Sequence, residues 1–416
     1  MASSAVATEA RARAPLAALL LANAVSLVGN VLTSIAVPWF VLQTTGSATQ
    51  TGVTAFFTAL PTVMSSFFGG ALVDRLGFRR MSIVADLTSG VAVAAIPVLY
   101  HAVGLTFWQL LALVFRRGLC TAPGDTARGA MAPDVAALAG LRLERATGAF
   151  EAIDRGAVLV GAPLAGVLIG LFSPSTVLWG DAASFLVSAA LVATLVPALA
   201  APPAEQTPRR YVAQVAAGLR YIRGDRLVRA IVATVLVTNL LDAALGSVVI
   251  PVYVKRTFGS ALALGLISAA FGAGAVVGTA LFLAWGHRLP KRATLAVAFT
   301  LVGLRAWVLV PSLPLRLILV AMVALGVAVA PVNPLLLTAT YRRIPPELRA
   351  RVLGALTAGV FAGIPLGGLL GGYLIAVIGV RPTLLLIGAC YILTTLSLLV
   401  NPAIREMDTP AVIESA

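Results

Sequence analysis

Long apolar stretches separated by short polar loops run through the chain almost from end to end. We place twelve of them, each long enough for one helical crossing of a bilayer, which takes about 20 apolar residues. In lipid their backbone groups must pair internally, so the pattern predicts helices and not barrel strands, which alternate over segments of about 10 residues. The predicted spans are residues 15–42, 50–73, 80–101, 105–128, 146–171, 175–199, 227–254, 261–286, 293–311, 315–341, 350–378 and 381–401.

Composition strengthens this prediction. Hydrophobic residues make up 59% of the chain and charged residues only 11%, against about 25% in a soluble domain. The first span is long and has no clear cleavage site, so we expect a retained helix and not a signal peptide. The sequence therefore predicts an all-α membrane protein with twelve transmembrane helices, in the inner membrane of a bacterium.

The net charge of +14 would suit a nucleic-acid partner, but the placement of the basic residues indicates membrane topology. If the amino terminus is inside, 22 of the 30 Lys and Arg residues fall in cytoplasmic segments. Only Lys255, Arg256, Arg316 and Arg381 fall outside. This bias predicts that both termini are cytoplasmic. We expect these basic residues to contact the lipid bilayer, and we expect no nucleic-acid partner.

The second half of the chain repeats the first. Pro38 aligns with Pro251 and Arg75 with Arg288 at one common offset. Parallel halves of this kind predict two six-helix bundles related by an axis along the membrane normal. The segment Tyr211–Arg226 is predicted to be an amphipathic helix that rests on the inner leaflet or only tethers the bundles. The predicted parts are a bundle at 1–199, a linker at 200–226, a bundle at 227–402 and a tail at 403–416.

The loop between the second and third spans carries a recognisable motif. Residues 69–80 have the sequence GGALVDRLGFRR, which resembles the signature loop of the major facilitator superfamily, G-x-L-x-D-R-x-G-R-R/K, except that Phe78 takes a position that is often basic. The run Gly161–Gly166 is similar to the glycine-proline motif of the drug-proton antiporter branches. Residues 177–185, VLWGDAASF, resemble the branch that holds the enterobactin exporter and macrolide efflux proteins.

The resemblance implies a transporter that exports a small molecule by proton exchange and alternating access. It also implies that the Asp74 loop acts as a conformational lock, with Arg128 near the inner end of span 4 as a partner. The alternative is a loop whose arginines only hold the orientation of the chain. The residues assigned to the lock are Gly70, Asp74, Arg75, Gly77, Arg79 and Arg128.

Small residues recur along spans 5 and 11 and would allow close helix approach. In the superfamily these spans meet across the two bundles, so we expect inter-bundle packing there, with static packing inside one bundle as the alternative. The residues concerned are Gly161, Pro163, Gly166, Gly363, Pro365 and Gly367.

Ionisable residues inside spans are unfavourable in lipid and mark ion or substrate paths. The alternative is a structural ion-pair network that links spans 4 and 5. Asp86, Asp181 and Arg305 are weaker candidates, because we place Asp86 near the inner surface and Asp181 near the outer one. The proton-coupling candidates are Glu151, Asp154, Asp125 and Asp242, with Arg117 and Arg155 as charge-balancing residues.

The energy source and cargo are constrained mainly by what the sequence lacks. There is no Walker-type phosphate loop, and the two His and two Cys suggest no metal site, so we expect no cofactor and a proton gradient as the driving force. No nucleophile–base set points to an enzyme. The candidates for a small-molecule cavity are Asn30, Phe57, Asn239, Asn333 and Phe361.

Two other functions stay open at the level of sequence. An importer or facilitated carrier of a polar nutrient would need a cavity richer in polar residues than these few. A non-transporting receptor or platform would need an extra soluble domain, and none is present. We expect a monomer that exports an amphipathic drug, siderophore or metabolite.

Overall fold

A computed structural model describes residues 2–198, 216, 218–344 and 348–400, and every regular element in these ranges is a helix. Side chains at 2–12, 66–72, 74, 342, 349–351 and 398–400 lie outside the description. The helices are α1 Ala2–Thr45, α2 Ala48–Leu76, α3 Phe78–Ala102, α4 Phe107–Leu138, α5 Leu143–Leu171, α6 Pro174–Leu195, α7 Arg226–Ala244, α8 Ile250–Thr257, α9 Ala261–Trp285, α10 Lys291–Val308, α11 Leu315–Val329, α12 Val332–Arg343, α13 Arg349–Phe361, α14 Gly363–Ile378 and α15 Val380–Val400.

Within the described residues, nine helical segments are long and apolar enough to cross a membrane, as expected for a multi-pass membrane protein. The helices at predicted spans 2, 4 and 9 are not among the nine. Two of them are unusually charged for a span: α4 carries Arg116, Arg117, Asp125 and Arg128, and α10 has 18 residues and begins with Lys291. The count of twelve crossings and the side of the termini stay predictions.

Local sequence explains where several helices begin and end. Thr106 and Gln109 form a reciprocal capping box at the start of α4, and the Ser173 hydroxyl accepts a hydrogen bond from the Thr176 amide at the start of α6. Gly46 after α1 has a φ of 65° and Gly259 after α8 a φ of 64°, a backbone region that glycine enters without strain. These two glycines are equivalent in the sequence repeat, so the two halves end equivalent helices in the same way.

The seventh predicted span is continuous but irregular. A π turn at Leu245–Val249 joins α7 to α8, with the Ile250 amide bonded to the Leu245 carbonyl. Pro251 follows directly, and its ring would clash with the carbonyl four residues earlier in a regular helix. The wider turn removes this conflict next to Asp242, an ionisable residue of α7.

The chain forms two compact units. The first contains Met1–Gly46, Phe57–Gln206 and Ser260–Gly265, so the first residues of α9 pack in it. There Leu19, Met131, Val135 and Val192 form a buried core between α1, α4 and α6. This unit holds most of the charged side chains that lie inside predicted spans.

The second unit contains Ser47–Phe56, Thr207–Gly259 and Leu266–Ala416, and it therefore includes the start of α2. One of its apolar clusters joins Ile222, Val228, Ile344 and Val352. The predicted bundle boundaries at 1–199 and 227–402 stay a prediction.

The end of the linker packs on protein. Ile222 is 6% exposed because Val228, Ile344 and Val352 cover it. The Tyr221 hydroxyl donates to the Arg343 carbonyl over 2.9 Å, and Asp225 forms a 2.8 Å ion pair with the Arg343 guanidinium. Ile222 therefore contacts protein, and most of the earlier part of that helix lies outside the described residues, so both the leaflet-bound helix and the tether stay predictions.

Candidate functional site

Helix α1 presents one polar stripe to its neighbours. Asn23, Ser26, Asn30 and Thr33 follow each other at steps of three, four and three residues, which places them on one face over about 15 Å of helix. Asn23, Ser26 and Thr33 are buried. Buried polar side chains need partners, so the stripe marks where charged residues of α3, α4, α5 and α6 gather.

The first gathering, the Asp181 cluster, contains Asn30, Thr33, Arg117, Asp181 and Ser184. The Arg117 guanidinium donates to the Asn30 side-chain oxygen over 2.5 Å and lies 3.5 Å from an Asp181 carboxylate oxygen. The Thr33 hydroxyl also donates to Asp181, and the Ser184 hydroxyl does so over 3.2 Å. Asp181 is fully buried, and these three side chains contact its two carboxylate oxygens.

The second gathering, the Arg128 cluster, contains Ser26, Asp86, Asp125, Arg128 and Ser188. Arg128 binds Asp86 in a two-point contact of 2.7 and 2.9 Å, and it also contacts Asp125 and the Ser26 hydroxyl. The Ser188 hydroxyl donates to Asp86 over 2.7 Å. The Arg128 and Asp86 side chains are 1% and 2% exposed, whereas Asp125 is 39% exposed.

Together the two clusters and the α1 stripe form one polar column through the first unit. Its charged members are two arginines and three aspartates, so one negative charge is left over. Asp86 and Asp181 are buried and tightly bonded, which leaves Asp125 as the accessible carboxylate. An unbalanced carboxylate at membrane depth requires a proton or another cation for compensation.

Glu151 and Asp154, two acidic residues of α5, lie near different residues. Glu151 forms a 3.9 Å pair with Arg155, and these side chains are 70% and 51% exposed. Asp154 is also exposed, and Asn23 of the α1 stripe lies near its carboxylate. Asp154 therefore adjoins the column, whereas Glu151 and Arg155 form a surface pair.

Within its described residues, the second unit has one comparable group of charged side chains, around Asp242. The Arg305 guanidinium contacts Asp242 over 2.6 Å and lies 4.8 Å from the Phe271 ring centre. The Tyr391 hydroxyl approaches the other Asp242 oxygen at 3.4 Å. Asp242 and Arg305 balance each other, so this site, unlike the polar column, has no excess charge.

The signature loop turns at Gly77, whose φ of 78° favours glycine. Arg79 donates to the carbonyls of Val192 and Ala193 in the last turn of α6. Arg75 is exposed. The Gly70 and Asp74 side chains lie outside the description, and the Arg128 side chain is held by Asp86, so the lock stays a prediction.

The small residues of α5 and α14 make close approaches inside one unit. A side chain at Gly161 would meet Val31 of α1 at 3.0 Å, and one at Gly363 would meet the Leu236 carbonyl of α7 at 2.8 Å. These two contacts join helices of the same predicted bundle, whereas Gly166 of α5 meets α9, a helix of the other predicted bundle, so inter-bundle packing and static packing both stay predictions. Gly166 lies against Ala261 and Leu262, and Gly367 lies against α7; Pro163 and Pro365 lie on the same helices, α5 and α14.

The cavity candidates separate into bonded and exposed residues. Asn30 belongs to the polar column, and the Asn239 amide donates to the Val360 carbonyl over 2.9 Å. Phe57 packs edge-on to Phe115 with ring centres 6.1 Å apart. Asn333 and Phe361 are exposed. In the described part of the chain no three His, Cys, Asp or Glu residues are grouped to hold a metal.

Sequence reasoning undervalued Asp86, Asp181 and Arg305. Both aspartates are buried at the centre of hydrogen-bond clusters, while their depth in the membrane stays a prediction. A signal was available in the polar stripe of α1, since four polar residues on one face of a predicted transmembrane helix require charged or polar neighbours.

The chain resembles several known proteins along most of its length. Residues 19–246 and 232–413 match the family model of the Major Facilitator Superfamily. The multidrug efflux pump Tap of Mycobacterium tuberculosis is 32% identical over 400 residues, 95% of each chain, and Tap of Mycolicibacterium fortuitum is 30% identical. Macrolide efflux protein A of Streptococcus pyogenes is 19% identical, covering 93% of this chain and 95% of that protein.

Solved structures agree on the fold. The nucleoside transporter NupG superimposes with a TM-score of 0.73 at 12% identity, covering 94% of this chain and 98% of NupG. A POT family transporter in complex with 5-aminolevulinic acid gives a TM-score of 0.70 at 14% identity, covering 92% of this chain and 95% of that one. At such identities the likeness concerns the fold alone.

Proposed function

The chain belongs to the Major Facilitator Superfamily, and from this premise we propose that it exports an amphipathic small molecule in exchange for protons. Efflux is supported by relatives that span almost the whole chain and are efflux pumps. The protein works as a monomer in the inner membrane of a bacterium, by alternating access, and uses no cofactor beyond the proton gradient. It is a transporter and not an enzyme.

The proposal of proton exchange rests on the unbalanced charge of the polar column. Three aspartates share two arginines, and the exposed aspartate is Asp125. When water reaches Asp125, the carboxylate can release its proton and use Arg128 as its partner. When water is excluded, the excess charge becomes unfavourable and the proton returns. Exchange follows if cargo and proton favour opposite openings.

Asp154 and Asp242 are secondary carriers in this proposal. Asp154 is exposed and lies near Asn23 of the α1 stripe, so it can deliver protons to that end of the column. Asp242 is balanced by Arg305 and therefore responds less to a change in hydration. The order of expected effects is Asp125 first, Asp154 second and Asp242 third.

The test uses everted membrane vesicles, in which respiration acidifies the interior. Wild-type vesicles should accumulate ethidium or a macrolide, and a protonophore should abolish the accumulation. Asp125→Asn should lower proton-driven uptake at least about tenfold, a loss of about 1.4 kcal/mol in the transport step. Glu144→Gln is the matched control, because Glu144 is exposed and pairs only with the equally exposed Arg142.

The outcomes separate the parts of the proposal. Uptake that persists with the protonophore would contradict proton exchange while leaving efflux intact. Transport of polar nutrients into intact cells, without export of either probe, would favour an importer. Asp125→Asn vesicles with wild-type coupling would remove Asp125 from the mechanism.

A further inference from the structure

A shallow apolar groove runs along the surface of the second unit between α10 and α11. It has a volume of about 340 Å³ and is lined by Ala293, Val297 and Leu301 on one side and by Ala328 and Pro331 on the other. The Thr294 hydroxyl also borders it but is bonded to the Pro290 carbonyl over 2.8 Å. The groove therefore offers a bound molecule apolar contact and no free polar group from its described lining.

The groove follows from the sequence of both helices. Ala293, Val297 and Leu301 recur every four residues and form one ridge of α10. The helix is interrupted between α11 and α12 at Pro331, because proline has no amide hydrogen to donate to the helix. The small side chain of Ala328 leaves space beside this interruption. The ridge spans about 12 Å, long enough to accommodate an extended hydrocarbon segment.

The groove faces away from the protein interior. Another side of α10 packs on α15, where the Trp307 indole donates to the Leu385 carbonyl over 3.1 Å and a Cβ at Gly303 would meet the Tyr391 ring at 3.1 Å. On the groove side Val297 is 57% exposed. A row of exposed apolar residues on a helix of a membrane protein contacts lipid tails.

Basic residues lie at one end of the groove. Arg288 and Lys291 stand within two turns of Ala293, and Arg288 is exposed. No Asp or Glu occurs between Ala243 and Pro346, a stretch that contains ten Lys, Arg and His residues. By the sequence bias this end is cytoplasmic, where anionic lipids attract clustered basic residues.

We propose that the groove seats one acyl chain of an anionic phospholipid of the cytoplasmic leaflet, with its phosphate beside Arg288 and Lys291. The apolar ridge and the basic end follow each other as the tail and headgroup of a lipid do, because Arg288 and Lys291 immediately precede Ala293 in the chain. Charge complementarity selects an anionic headgroup over a zwitterionic one. The site is independent of the polar column in the first unit and of the proposed transport reaction.

The test is native mass spectrometry of the purified full-length protein with phosphatidylglycerol or phosphatidylcholine added at equal concentration. We expect bound phosphatidylglycerol to persist at collision energies that remove phosphatidylcholine. Val297→Trp and Ala328→Phe each fill the groove and should remove the retained lipid. Arg288→Gln with Lys291→Gln should lower occupancy about fivefold per charge, since each basic residue near an anionic surface contributes about 1 kcal/mol.

Matched controls lie on the same helix pair. Val320→Trp adds the same bulk on an exposed α11 residue outside the groove, and Arg316→Gln removes a charge at the other end of α11. Both should retain phosphatidylglycerol. Equal retention of the two lipids, or retention by both groove-filling variants when they elute as a single folded species, overturns the site. Inorganic phosphate at equal concentration should not displace the lipid, and displacement would also count against an acyl-chain site.

Discussion

Arg117 and Arg128 lie on one face of α4, and each reaches a buried aspartate on a different neighbouring helix. Arg117 meets Asp181 of α6 and Arg128 meets Asp86 of α3, while both also contact the α1 stripe. Desolvating an ion pair is unfavourable, and the surrounding hydroxyls and amide recover part of that free energy by hydrogen bonding. These residues hold four helices in one register.

Removing one partner of such a pair leaves a buried charge without compensation. Asp181→Asn should therefore lower the free energy of unfolding by about 3–5 kcal/mol. The double variant Asp181→Asn with Arg117→Gln should be less destabilised than Asp181→Asn alone, because both charges are gone. Thermal unfolding of the detergent-solubilised protein measures this. A double variant that is no more stable than the single one would contradict a paired role.

Asp225 acts at the start of α7 and outside the spans. Burial alone would raise its pKa, but the Val228 amide and the Arg343 guanidinium lower the pKa of Asp225 below its usual value. A carboxylate with a lowered folded-state pKa stabilises the protein above its unfolded-state pKa of about 3.9, and this stability is lost as the pH falls through the folded-state pKa.

Asp225→Ala should lower stability by about 1 kcal/mol at pH 7, because α7 loses its N-cap. The difference from wild type should shrink as the pH falls below about 4. Unfolding curves from pH 3 to pH 7 measure this directly. A stability difference that is constant over this range would show that the charge of Asp225 has no part in the effect.

At the level of elements, close approach of α14 to α7 depends on glycine. A Cβ at Gly367 would come within 2.8 Å of the Ala243 side chain and close to α7 backbone, whereas a Cβ at Gly354 of α13 would meet nothing within 4 Å. The same substitution therefore has opposite expected effects on neighbouring helices.

Gly367→Ala should destabilise the protein by about 1–3 kcal/mol, because α7 must move to admit the methyl group. Gly354→Ala should stabilise it by up to about 1 kcal/mol through helix propensity. Melting temperatures of the two variants, compared with wild type under one detergent condition, test the pair. Equal and small effects would mean that α7 adapts without strain.

At the level of the whole molecule, topology decides which end of the polar column and of the lipid groove meets the cytoplasm. The basic bias predicts that the α3–α4 loop is outside and the α4–α5 loop inside. Val103 and the Arg142 side chain are highly exposed in these two loops, so both suit labelling.

With Cys120 and Cys390 replaced by serine, Val103→Cys should react with an impermeant maleimide on intact cells. Arg142→Cys should react only after permeabilisation. The reverse pattern would invert the predicted topology and place the basic end of the lipid groove in the outer leaflet. It would leave the contacts within each unit unchanged.

The family and the helices followed from local sequence. Apolar stretches that exceed the membrane thickness have no stable alternative to a helix, and the Asp74 loop with VLWGDAASF indicated the superfamily and its efflux branch. Gly46 and Gly259, which are equivalent in the repeat, also have nearly equal φ angles.

Tertiary structure alone decided which buried charges are partners. The period of a helix tells which residues share a face, but in a span that is apolar on all sides it does not tell which neighbour that face meets. From the sequence alone, Glu151 and Arg155 were therefore as good candidates for the proton path as Asp125, yet in the fold their side chains are exposed. Asp86 and Asp181, in contrast, each pair with an arginine from another helix. Pairing between helices depends on their rotation and packing, which only the assembled unit determines.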